Sequence, residues 1–468
     1  MKIDFGRALH EWDGFGFNYV ETAQTRDYAE DAQDYGGLRT LSEVDRQRVS
    51  ILVFGDDGLK PGLLKLFLDP FHQGKPCAGY QWGSMVVQPE YYDHTRSAKS
   101  MLWMASEAVA AAKSRGESLS AMVTLYGPPG WMTAQGFVRG RDLAPDMLLE
   151  VCKYLASWTL YLEKEIGLKI VAVSPHNEGE DWMRWPLDGS TADVASHDHN
   201  LYWPTEQLVA FVPLMRQVLD ANQLKHTAVS CGETSNWVRF AHWGYADALA
   251  QSREAMENLG LITSHGFWGA YMGQWNADHR STGTDQLRAI KPTLHAWTTS
   301  TGWGRDFTGL IWEAQQSIYV AKINGFIPWA GMQYSKLWQG GDPNPQTALR
   351  VLEDGTVKVE QEYYTYKHLT RAGLPGMDVV PAFVNDTEIV PLAFGPGRSG
   401  SAAAMVLANI SASPKTLLLQ ACGAGQNTFQ GIQSTAESLW TDIGEITLGD
   451  AITLPAKSIT TFIGKSKA

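Results

Sequence analysis

Ser174-Pro175-His176-Asn177-Glu178-Gly179-Glu180 is the polar end of an apolar run that starts at Leu168. Residues 170–173 read as a short buried strand, preceded by a helical pattern and stopped by Pro175. A carboxylate, Glu178, therefore sits just past the carboxyl end of a strand. It has an amide beside it, Asn177, and Trp182 and Trp185 close behind. An acid at a strand mouth, with indole faces nearby, is suited to meeting a sugar and protonating a leaving oxygen. An ordinary polar loop contains the same dipeptide, so the rest of the chain has to decide.

Upstream, residues 142–165 carry Leu148, Leu149, Val151, Cys152, Leu155, Trp158 and Leu162 at periods of three and four, the mark of an amphipathic helix feeding this strand through Gly167. Further back, residues 62–69 form an apolar run of strand length broken by one base, Lys65. A lysine inside a buried strand has to face something charged, because an unpaired buried ammonium is costly. Strand-like runs also occur at 12–20, 121–126, 226–233, 261–271, 292–304 and 324–331, with helical patterns between several of them. Alternating strands and helices imply a parallel α/β sheet. Beyond 376, short alternating strands separated by turns read as an all-β sandwich.

The bulk properties agree with two folded units. The chain has 468 residues, 44% hydrophobic and 19% charged, and a net charge of -12. An acidic chain with no basic stripe argues against nucleic acid. Eighteen tryptophans are many for this length, and flat indoles stack well on the C–H faces of sugar rings. Cys77, Cys152, Cys231 and Cys422 are widely spaced and read as isolated thiols. His197 and His199 lie two apart in a long loop but lack a third spaced ligand, so no metal is expected. No GxGxxG follows a strand, and no organic cofactor is expected. No run of eighteen apolar residues is present, which argues against a membrane partner. As written the chain reads as cytoplasmic, and a secreted protein trimmed of its signal would look the same. Oligomeric state is not legible.

Several short motifs resemble glycoside hydrolase family 30, a clan A family. Asp13-Gly14-Phe15-Gly16 resembles that family's opening strand. Pro128-Pro129-Gly130-Trp131-Met132 resembles the Pro-Pro-Ala-Trp-Met that follows its third strand. Asn177-Glu178 is similar to its acid/base pair after strand four, and residues 361–376 resemble its last barrel helix. The resemblance implies a (β/α)8 barrel over 13–375 and a C-terminal β-sandwich over 376–468, with 1–12 a lead-in or a sandwich strand. It also implies retaining hydrolysis of a β-linked glycoside, with carbohydrate as the only partner. Glu178 would be the acid/base and Asn177 would hold a sugar hydroxyl. Lys65 falls about where the family carries an arginine facing the nucleophile. Trp131, Trp182, Glu233, His265, Tyr271, Trp297 and Trp329 would line the substrate.

The seventh strand departs from this pattern. The family ends it in a Trp-x-Thr-Glu type of motif whose glutamate is the nucleophile. Aligned on Trp297 and Thr299, this chain has Ser300 in that place. Double displacement needs a second carboxylate about 5–5.5 Å from the acid, and a hydroxyl without an adjacent base is a poor nucleophile. Three accounts stand open. The first is an engineered removal of the nucleophile, leaving an inactive or glycosynthase-type variant. The second is natural loss, leaving a glycan-binding barrel. The third is a shifted register in which Glu233, Asp306 or Glu313 attacks. The first two require Glu178 and Ser300 to share one sugar pocket.

Overall fold

The computed structural model of the chain describes residues 1–22, 34–181, 199–267, 279–304, 306–335 and 346–465. Eight parallel strands close a barrel: β1 (Gly14–Asn18), β2 (Leu63–Leu68), β3 (Ser120–Leu125), β4 (Lys169–Ser174), β5 (Ala228–Ser230), β6 (Leu259–Ser264), β7 (His295–Thr298) and β8 (Gly325–Phe326). They pair in chain order, and β8 closes on β1.

Strand alternation sorts the side chains. In β2, Leu64, Leu66 and Leu68 point out and join the main core under the helices, as do Ala121, Val123 and Leu125 of β3. The inward set of the same two strands forms three tiers. Leu63 and Met122 lie in an apolar floor with Ala172, Leu261, Trp297 and Ile327. Lys65 and Thr124 come next and are fully buried. Phe67 and Tyr126 make an aromatic rim with Val20, Tyr35, Ala330 and Trp329. The floor closes the barrel from below, so the polar tier opens only toward the carboxyl ends of the strands.

The helix expected over 142–165 begins later, at Leu148, and runs to Tyr161. The cause is local: the mouth loop after β3 takes up the preceding backbone, with Ala134 N–H donating to Asp142 O at 2.8 Å and Ala144 N–H to Met132 O at 2.9 Å. A wider turn, Leu162–Ile166, then ends at Gly167, whose φ of 75° needs glycine.

The C-terminal strands form a seven-stranded antiparallel sheet that also takes in His10–Glu11. Ile389–Gly395 and Ala404–Asn409 are buried on both faces. Leu392, Phe394, Ala404, Val406 and Ala408 face the barrel core. Ala393, Met405 and Leu407 face a second core covered by Ile3, Leu417 and Leu454. The lead-in thus belongs to the sandwich: Lys2–Asp4 pairs with Ala382–Phe383 and Gln420–Cys422. A buried imidazole ties the two units, with His368 Nδ1 2.7 Å from Thr461 Oγ1 and Nε2 2.8 Å from Ser434 Oγ. Burial, then the charge of Lys367, keep it neutral, with its pKa near 3. No described helix is long and apolar enough to cross a membrane.

Asp13 pins the bottom of the barrel. Its Oδ2 accepts from Trp297 Nε1 at 2.6 Å and from His295 Nδ1 at 2.8 Å. The hydrogen bond to Asp13 outweighs partial burial and raises the His295 pKa. A histidine raised on folding contributes stability that is complete below its unfolded pKa and lost as pH rises through the folded value. Asp13→Asn is therefore expected to cost more stability at pH 6 than at pH 9 in chemical denaturation. A penalty equal at both pH values would refute the ion pair's contribution.

Candidate active site

Backbone pairing continues past the strand ends and places the site residues. Asn177 and Glu233 form a parallel bridge beyond β4 and β5. Glu178 N–H donates to Glu233 O at 2.6 Å, and Glu233 N–H to His176 O at 3.2 Å. Glu178 takes a left-handed φ of 51°, and Gly179 follows it. His265 N–H donates to Thr234 O at 2.8 Å, and Gly266 N–H donates to Ser300 O at 2.7 Å, so the mouths of β5, β6 and β7 are joined in the same way.

The side chains then converge. Lys65 Nζ lies 2.5 Å from Glu233 Oε2 and 3.4 Å from Ser300 Oγ. Thr124 Oγ1 donates to Glu233 Oε1 at 2.6 Å. His265 stands between two carboxylates, with Nε2 3.0 Å from Glu233 Oε2 and Nδ1 2.8 Å from Glu178 Oε1. Glu178 and Ser300 are thereby linked through His265, Glu233 and Lys65. The lysine that had to face a charge does so, and it also touches position 300.

Electrostatics follow from this geometry. Burial alone would raise the Glu233 carboxyl, but the charge of Lys65 and the bond from His265 overcome it and hold the pKa at about 2. Burial would likewise lower His265, yet its bonds to Glu178 and Glu233 leave its pKa above the ordinary histidine value. Glu233 has no exposed side-chain area, whereas Glu178 keeps 13%. Of the two acids, Glu178 is the one open to a ligand.

The aromatic residues divide. Trp329 sits at the rim after β8, stacked on Tyr35 at 5.6 Å and edge-on to Phe67 at 5.8 Å. Trp131, after β3, meets the exposed Trp82 edge-on at 5.9 Å. Trp297 lies elsewhere: its ring is in the apolar floor and bonded to Asp13, so the expectation that it lines the substrate is corrected. Its strand position turns it inward, and one tier too low. Trp182 and Tyr271, with Trp185 and His197, lie outside the described residues.

The other acids weighed for attack are each engaged by partners of their own. Asp306 pairs with Lys457 of the sandwich at 3.0 Å. Glu313 lies in the helix Gly309–Tyr319, 3.3 Å from His279. Both oxygens of Glu233 are occupied. Thr124 is a site residue that the sequence reading missed; its signal was a lone hydroxyl at an inward position of an apolar strand. Glu180 is another, accepting from Ser235 N–H at 2.9 Å and Arg239 Nη1 at 3.0 Å to brace the β4 and β5 mouths. Among the described residues no group of acids, histidines and cysteines suits a metal ion.

No family model matches the chain, and no curated protein matches it. Solved structures do. The catalytic domain of GH30 xylanase C from Talaromyces cellulolyticus superposes with a TM-score of 0.71 at 16% identity, over 99% of both chains. A conserved exported protein from Bacteroides fragilis gives 0.73 at 13% identity, again over 99% of both. An endo-β1,6-glucanase gives 0.70 at 18% identity, over 100% of this chain and 94% of that one. At such identities the likeness carries the architecture alone: the chain has the (β/α)8 barrel with β-sandwich seen in GH30 xylanases.

Proposed function

We propose that this barrel binds a β-linked glycoside at the mouths of β4 and β7 and carries a retaining-type glycosidase site whose nucleophile position holds Ser300. The observation that carries the reading is the single hydrogen-bond chain from Glu178 through His265, Glu233 and Lys65 to Ser300. Neighbours named as a xylanase and a β1,6-glucanase support a β-linked polysaccharide or oligosaccharide as the ligand.

In this reading Glu178 protonates the leaving oxygen and later, as a base, activates water. Asn177 holds a hydroxyl of the bound sugar, and Trp329 and Trp131 supply stacking faces. Ser300 offers no carboxylate for the glycosyl-enzyme, so hydrolysis by the chain as it stands is very slow. The chemistry at 300 is the same whether the serine arose by design or by descent. Glu233 is not the attacking group in this reading, because it is enclosed and its oxygens are already bonded.

A serine at the nucleophile position leaves room for the fluorine of an α-glycosyl fluoride. The C–F bond breaks, fluoride leaves, and an acceptor hydroxyl attacks from the opposite face while Glu178 takes its proton. Incubation with a panel of α-glycosyl fluorides and aryl β-glycoside acceptors is expected to yield β-linked transfer products and free fluoride, both lost in Glu178→Ala. Saturable glycan binding without any transfer would favour the second reading, a barrel that binds glycans and has given up catalysis.

A further inference from the structure

Glu233 is a buried acid that the proposed reaction does not use directly. It reaches the centre of the site from β5, meets no solvent, and receives three hydrogen bonds, from Thr124, Lys65 and His265. An ionised carboxylate only accepts, so His265 Nε2 has to carry a proton. The other nitrogen, Nδ1, is then left facing Glu178 Oε1 at 2.8 Å.

That contact admits two proton arrangements of equal total charge. In one, Nδ1 carries a proton and Glu178 is ionised. In the other, Glu178 carries the proton and the neutral imidazole accepts it. Moving one proton across a single hydrogen bond interconverts them. From this arrangement we infer that Glu233 is a positioning residue, fixing the His265 ring with Nε2–H inward so that Nδ1 shares one proton with Glu178. The inference rests on the reading of Glu178 as the acid/base, and it explains how an acid so close to a second, ionised carboxylate is kept loaded before bond cleavage. After Glu178 gives its proton to the leaving oxygen, the pair is one proton short, and the water that Glu178 activates in the second step returns it. His265 and Glu233 touch no substrate in this scheme.

The groups facing His265 come from three other elements and its own loop. Glu178 and His176 approach from beyond β4, Glu233 from beyond β5, and Lys65 from β2. His176 is kept neutral by burial, with a pKa of about 4. Lys65 opposes charging of His265, so only the two glutamates favour it. The Phe267 ring, 5.5 Å away, adds no charge.

Nitrogen-15 NMR of the histidine rings in the intact protein tests this. In the unmodified chain the neutral form of His265 is expected as the Nε2–H tautomer, and its titration midpoint above that of a free histidine. Glu233→Gln is expected to lower that midpoint by about one pH unit or more, and Glu233→Asp to restore part of it. In a Ser300→Glu background, Glu233→Gln should move the alkaline limb of kcat/KM downward in step, with KM little changed. An Nδ1–H tautomer in the unmodified chain overturns the proposal even if Glu233→Gln does not fold. So does a midpoint that ignores a folded Glu233→Gln. The NMR result stands apart from the glycosidase reading, which fails instead if no glycoside is turned over while the imidazole behaves as stated.

Discussion

Ser300→Glu is expected to raise hydrolysis of activated aryl β-glycosides by three or more orders of magnitude in kcat/KM. Each decade corresponds to about 1.4 kcal/mol of barrier, so the restored carboxylate is asked for about 4 kcal/mol. That is reasonable for a group whose bond to the anomeric carbon exists only along the reaction path. The site is prepared for it. Lys65 Nζ has three donors and now directs one toward Ser300 Oγ at 3.4 Å, so a carboxylate at 300 gains a cationic partner by replacing the hydroxyl. The gain should appear in kcat with a nitrophenyl panel spanning several β-sugars. A Ser300→Asp variant should recover much less, since its carboxylate stops one carbon short. Silence of Ser300→Glu across the panel, in a folded protein, would favour the glycan-binding barrel.

Lys65→Met is expected to cost about 3–5 kcal/mol of folding stability, because it strands a buried carboxylate. Glu233 and Lys65 both have no exposed side-chain area, and their 2.5 Å contact is the largest influence holding Glu233 ionised against burial. Removing one partner differs from removing both: the double variant Lys65→Met with Glu233→Gln should recover most of the loss, since no uncompensated charge remains. Urea denaturation of the four proteins gives the coupling. Lys65→Met should also lose stability differently with pH. Its Glu233 is no longer held near 2, so the protein regains some stability as pH falls toward the raised carboxyl pKa. A single-variant penalty below about 1 kcal/mol would mean that the pair is better solvated than its burial indicates.

The alternation of strands and helices was legible because hydrophobic periodicity and strand-end polarity are local signals, whereas closure into a barrel was implied by the resemblance to glycoside hydrolase family 30. Lys65 is the clearest case: a single ammonium in Leu63–Leu68 demanded a buried partner, and Glu233 is that partner. Glu178 could be placed at a strand mouth from Pro175 and the apolar run before it. What sequence could not supply was the height of a side chain within the barrel. Trp297 and Ser300 are three residues apart, yet one belongs to the floor and the other to the polar tier, and no local pattern distinguishes the tiers. The late start of the helix at Leu148 was hidden for a similar reason, since the backbone before it is held by a loop twelve or so residues upstream. Glu233 was read as one more mouth acid, when its contacts with Lys65, Thr124 and His265 depend on three strands brought together only by closure of the sheet.

Covalent trapping tests most directly whether positions 178 and 300 serve one sugar. The Ser300→Glu protein, treated with a 2-deoxy-2-fluoro-β-glycosyl fluoride that forms the glycosyl-enzyme quickly and hydrolyses it slowly, is digested and its peptides weighed. The account predicts a single fluorosugar adduct on the peptide that contains position 300, released faster when an acceptor sugar is added and absent from the unsubstituted chain. An adduct on the peptide bearing Glu233, or equal labelling of the protein with and without the substitution, would contradict it.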